Sequence, residues 1–195
     1  MQAIANPVTR TVLALGLFLA SAAVVQAADL RSVEVEREDD RYLLTSEAWL
    51  AASREEVYRV LTDYDLFVQF SSAYVESRNL EADARGRPRF FTRLQGCLLF
   101  YCRSVVRHGY LLLKPGSEII AIADPEGSDF EYSRERWRLE SEEGGTLLRY
   151  DFETIPRMWV PPVIGPYVIK RSLRSNGVEA IGRIEALARG RTPAR

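Results

Sequence analysis

Apolar and charged residues alternate along RSVEVERE, where Val33 and Val35 stand between Glu34, Glu36 and Arg37. A period of two marks a strand with one buried face. Asp39-Asp40 supplies a turn and RYLLTSEAWLA continues as a second strand, so the two form a hairpin. The period then changes. In SREEVYRVLTDYDLFVQF, Val57, Val60 and Leu61 give one apolar stripe of a helix, and Ser53 with Glu56 makes an S-x-x-E capping box. Asp63 to Asp65 breaks that helix, and Leu66, Phe67 and Phe70 begin a short second one.

Further strands are predicted at AYVESRNLEAD, PRFFTRLQG, YCRSVVRHGYLLL, EIIAIAD, SDFEYSRERWRLE and TLLRYDFE. Gly86, Pro115-Gly116, Pro125-Glu126-Gly127 and Gly144-Gly145 punctuate them. Short connections between about eight strands favour an antiparallel meander. The last element, in MWVPPVIGPYVIKRSLRSNGVEAIGRIEALARGR, is the longest. Proline is tolerated only in a first helical turn, so the helix should begin close to Pro166. Ile169, Leu173, Gly177, Ile181, Ile184 and Ala188 form its apolar face, with Lys170, Arg171, Arg174, Arg183 and Arg189 largely off it. Such a helix needs a surface to cover, and the concave side of the sheet is the only large one left. The fold class is α+β, and a curved sheet around a helix leaves room for a cavity between them.

Composition narrows the function classes. The chain has 195 residues, 47% apolar and 27% charged, which suits one globular domain with a short appendage. A formal net charge of -1 provides no basic field for nucleic acid. One histidine and two cysteines do not complete a metal site, and no cofactor-binding motif is present. The opening residues are not expected to be part of the fold. TVLALGLFLASAAVV is a 15-residue apolar run followed by Val25-Gln26-Ala27. It reads as a secretory signal peptide, residues 1–27, cut near Ala27 to leave a single domain at 28–195 in the periplasm or outside the cell. A retained anchor is the alternative, although a membrane span needs about 20 residues. Loss of Arg10, the only charged residue before position 28, would change the net charge from -1 to -2.

SREEVYRVLTDYDLFVQF, RERWRLE followed by GGTLLRYDFE, and the long C-terminal helix together resemble the START-like, helix-grip superfamily. That superfamily includes polyketide cyclases, coenzyme-Q-binding proteins and lipid-transfer domains. The resemblance covers nearly all of residues 32–190. It implies a ligand pocket between the sheet and the last helix, and no single reaction, because members range from enzymes to carriers.

The pocket candidates come from strand alternation. In SDFEYSRERWRLE, Glu131, Ser133, Glu135, Trp137 and Leu139 share one face, and the last two point that face inward. Arg93 and Arg107 on neighbouring strands are expected to pair with Glu131 and Glu135, either to orient a ligand head group or as a structural ion-pair network. Phe91, Tyr150, Ile164 and Tyr167 are the further lining candidates. His108 is a lone strand histidine, and no nucleophile–base pair accompanies it, so no catalytic residue is assigned. Trp159 and Val160 belong to a proline-stiffened apolar connection that suits a cavity entrance, a transient membrane contact, or a folded-back core segment.

Cys97 and Cys102 bracket Leu98, Leu99, Phe100 and Tyr101. In an unbroken strand they would lie about 16 Å apart, at roughly 3.3 Å per residue. A disulfide needs Cα atoms within about 7 Å, so the chain must turn inside LLFY. An oxidising compartment favours that staple over two reduced thiols, and C-x4-C is not a redox spacing. The hairpin tip would then present Leu98, Leu99 and Phe100 at the entrance or to a membrane. The expected function is binding of a hydrophobic small molecule, such as a lipid or isoprenoid quinone. A cyclase or dehydrase using Glu131, Glu135 or His108 is the alternative, and a ligand-free protein-interaction domain is a third.

Overall fold

A computed structural model describes residues 27–98, 101–160 and 165–193. The expected signal segment up to residue 26, Leu99, Phe100 and Ile164 lie outside them. The described residues form eight strands and three α-helices. Strands β1 (Asp29–Glu38) and β2 (Arg41–Leu50) form the opening hairpin, followed by helices α1 (Arg54–Thr62) and α2 (Phe67–Phe70). Then come β3 (Tyr74–Leu80), β4 (Arg89–Leu98), β5 (Tyr101–Lys114), β6 (Glu118–Ala123), β7 (Phe130–Glu142), β8 (Gly145–Pro156) and the long helix α3 (Gly165–Ala188). The sheet order is β1-β2-β8-β7-β6-β5-β4-β3, antiparallel at each pairing. The expected α+β architecture, a curved sheet around a C-terminal helix, is what the chain forms.

Local rules account for the elements that set the core. Ser53 caps α1: its hydroxyl accepts from the Glu56 N–H, and the Glu56 carboxylate accepts from the Ser53 N–H. Val57, Val60 and Leu61 are fully buried on the facing side. Asp63 and Asp65 end that helix through Asn79, whose Nδ2 donates to Asp63 Oδ1 at 2.8 Å and to Asp65 Oδ2 at 3.1 Å. Asn79 Oδ1 accepts from the Tyr64 N–H at 3.2 Å. This clamp turns Tyr64 into the core, where it stacks on Phe67 and Phe90 at 4.1 and 4.6 Å. Burial of each such aromatic or aliphatic side chain contributes about 1.5–3 kcal/mol.

Helix α3 is seated unevenly. Its main contacts are with β1, α1, α2 and β2 rather than with the middle of the sheet. Among its described side chains, the buried ones are Ile181, Ile184, Glu185 and Ala188, all in the C-terminal half. Glu185 pins that end, accepting from the Ala51 N–H at 2.8 Å beside Arg189 and Arg191. Ile169, Leu173 and Gly177 lie on the expected face but stay half-buried. The N-terminal half lies along β1, with Gly177 against the Leu30 side chain and Lys170 paired with Glu34.

Candidate functional site

The inner faces of β4, β5, β7 and β8 carry a mixed polar and aromatic lining. Registers place Thr92 across from Arg107, Phe152 across from Glu135, Tyr150 across from Trp137 and Thr154 across from Ser133. On the intervening strand β6 the inward positions are Ile119, opposite Trp137, Ala121, opposite Glu135, and Ala123, opposite Gly109, the last two small. Across the small Ala121 and Ala123, Arg107 reaches from β5 to β7. Its Nη1 lies 3.2 Å from Glu135 Oε2. Glu135 Oε1 accepts from the Tyr150 hydroxyl at 2.7 Å. The guanidinium carbon is 5.0 Å from the Phe152 ring centre and 5.6 Å from that of Phe90, so aromatic faces flank the cation.

Arg107 and Glu135 are 4% and 1% exposed. Burial works against the charge of Arg107, but the adjacent Glu135 carboxylate carries its pKa above the ordinary arginine value. Burial, followed by the charge of Glu135, pushes Tyr150 and Tyr64 well above the usual tyrosine range. Both phenols are therefore hydrogen-bond donors at neutral pH. Several buried polar atoms on this lining have no protein partner: Arg107 Nε and Nη2, Thr92 Oγ1, Ser133 Oγ, Tyr64 Oη and Trp137 Nε1. Native interiors leave few such atoms, and a cluster of them is met by ordered water or by a bound group. Trp137, Tyr150 and Phe152 are only half-buried although their strands are central ones. Part of the inner face of these central strands thus remains accessible, with the Trp137 and Tyr150 rings 4.1 Å apart.

The profile of the family described as "Polyketide cyclase / dehydrase and lipid transport" matches residues 50–176, well over half of the chain. The chain belongs to this family. Solved structures of similar fold include a START superfamily protein from Mycobacterium smegmatis, with a TM-score of 0.60 and 18% identity over 74% of this chain and 98% of that one. A STAR-related lipid transfer protein from Xanthomonas axonopodis gives 0.58 and 16% identity over 84% of this chain and 99% of its own. The Zhui aromatase/cyclase of a Streptomyces species gives 0.56 and 14% over 76% and 94%. Identities this low carry the fold alone. A search of curated proteins finds no match by sequence.

Within this polyketide cyclase and lipid transport fold, the expected lining residues divide. Arg107, Glu135, Trp137 and Tyr150 come together on the inner face. Glu131 does not. A bulge between Phe130 and Tyr132 shifts the register, turning Phe130 inward and leaving Glu131 exposed. Phe91 and Arg93 are also displaced from the expected lining. They fall on the outer face of β4, where Arg93 pairs with Glu76 at 3.2 Å and Arg78 lies over the Phe91 ring at 4.1 Å. Phe90 and Thr92 take the inward positions instead. Tyr167 is 68% exposed on the outer side of α3 and lines nothing. His108 lies on the face of β5 opposite Arg107, 3.6 Å from Asp124. Trp159 is 78% exposed and Val160 half-buried at the connection into α3.

Phe90, Thr92 and Phe152 were not singled out as lining residues by sequence. An open cleft of about 580 Å³ also occurs at the far end of the sheet, around Ser53, Arg54, Glu55, Glu56 and Arg189. Its charged groups already pair with one another or with Ser53 and Glu185, so it offers no orphaned polar group. The backbone register of the β4–β5 hairpin sets Cys97 opposite Cys102 and Leu98 opposite Tyr101, the pairing expected of these cysteines.

Proposed function

We propose that this protein is an exported carrier of a hydrophobic small molecule, a lipid or isoprenoid quinone, held between the sheet and the N-terminal half of α3. The observation that carries the reading is the hollow lining: half-buried Trp137, Tyr150 and Phe152 beside buried polar atoms without protein partners. Apolar walls supply affinity at about 25 cal/mol per Å² removed from water. The Arg107–Glu135–Tyr150 group supplies orientation. Among the acid–base candidates only Glu135 faces this space, and both its oxygens are engaged, which favours carriage over cyclase chemistry.

Three features support export and transfer. The apolar run ending at Val25-Gln26-Ala27 has the form of a cleaved leader. Cross-strand neighbours in an antiparallel pair lie about 4.5–5.5 Å apart at Cα, within disulfide range, so the register supports a Cys97–Cys102 staple in an oxidising compartment. Exposed Trp159 leads into α3, where a transient membrane contact would pass the ligand. The test is mass spectrometry of an organic extract of the purified protein, before and after incubation with phospholipid vesicles containing an isoprenoid quinone. One equivalent of lipid or quinone per chain supports the carrier. A protein that stays without either after exposure contradicts it.

A further inference from the structure

The unpartnered atoms on the lining differ in kind. Arg107 Nε and Nη2 and Trp137 Nε1 are donors only, and the hydroxyls of Thr92, Ser133 and Tyr64 can each donate or accept. Glu135, the nearest acceptor, already takes one bond on each oxygen, from Arg107 and from Tyr150. The set is therefore richer in donors than in acceptors. It is also electrically closed: the single positive charge of Arg107 is matched by Glu135 at 3.2 Å, with both side chains more than nine-tenths buried. A carboxylate or phosphate entering here would bring a second negative charge into a dry site that holds one cation. Such an uncompensated charge is strongly penalised. A carbonyl oxygen brings two lone pairs and no net charge.

We infer that the buried end of the ligand is an uncharged hydrogen-bond acceptor, a ketone, quinone or ester carbonyl, received by the free N–H groups of Arg107. This rests on the carrier reading above. Phe90 and Phe152 flank the guanidinium, and Thr92 stands directly across from Arg107, so the acceptor is met by donors within an apolar frame. Charged lipid head groups are turned outward or excluded, and the acyl or prenyl body lies along Trp137 and Tyr150.

Equilibrium dialysis at neutral pH with methyl decanoate, decanoate, decyl phosphate and decane tests this, because the four share one apolar body. The wild-type protein is expected to bind methyl decanoate about tenfold tighter than any of the others, the scale of a buried hydrogen bond gained without a charge penalty. The double variant Arg107→Leu/Glu135→Leu keeps the site apolar and filled. It is expected to bind methyl decanoate and decane within about threefold of each other, because the selective donor is gone. Decanoate or decyl phosphate binding as tightly as the ester overturns the inference, as does an ester preference that survives in the double variant. If none of the four binds, the carrier reading itself fails and takes this inference with it.

Discussion

Arg107 and Glu135 illustrate how much rests on two side chains. Each satisfies the other inside the protein, so removal of one strands a buried charge. Arg107→Leu or Glu135→Leu alone is expected to cost about 3–5 kcal/mol in urea denaturation, and the double variant to recover most of that loss. Equal loss in the double variant would contradict the pairing. Tyr64, Tyr74 and Tyr150 add a pH dependence. Burial raises all three above the value of 10.0 that each has in an unfolded chain. The folded protein then holds protons that the unfolded chain releases, so stability is full below pH 10 and falls as pH rises above it. Urea midpoints measured on either side of that pH should decline on the alkaline side, with a shallower slope in Tyr150→Phe. At this scale the sequence was partly legible. Placing Cys97 opposite Cys102 also places Thr92 opposite Arg107 and Arg93 opposite Val106. Arg93 and Arg107 therefore cannot share a face, and an inward Arg107 requires Phe90 and Thr92 beside it. The expectation that both arginines point inward conflicts with the same hairpin that the cysteines suggest.

At the scale of elements, helix α3 has two ends of different character. The C-terminal half carries Ile181, Ile184 and Ala188 into the core and is fixed by Glu185 on Ala51. The N-terminal half has no buried side chain among those described. Amide hydrogen exchange is expected to be faster over residues 167–177 than over 181–188, and to slow selectively there when the site fills. Uniform exchange along the helix would argue against a hollow beneath its first half. The apolar face of α3 was legible from spacing, but its graded burial was not, because periodicity reports direction and not distance to the partner surface. Glycine restricts the sheet in a similarly local way. A side chain at Gly109 would run into the backbone carbonyl of Ile122, so Gly109→Ala should destabilise by about 1–3 kcal/mol. The β4–β5 hairpin gives a further test: titration of the denatured, unreduced protein should find no free thiol if Cys97 and Cys102 are joined, and two if they are not.

For the whole molecule, the meander and the final helix follow from alternation, turn residues and helical spacing, and the described strands coincide closely with the apolar runs. The contact between β2 and β8 was not legible, because it joins segments about a hundred residues apart with no local signal. The bulge that turns Glu131 outward was hidden for a related reason: one extra residue reverses the facing of what precedes it without altering the composition. The carrier reading places the ligand between the sheet and α3, beside the buried pair. The chain contains three tryptophans, and only Trp137 belongs to that lining, Trp49 being buried in the core and Trp159 exposed. In a Trp49→Phe/Trp159→Phe protein, the fluorescence of Trp137 should be quenched by methyl dibromostearate, saturating at one molecule per chain. Quenching that never saturates, or an unaffected Trp137 while the wild-type protein is quenched through Trp159, would place the ligand elsewhere.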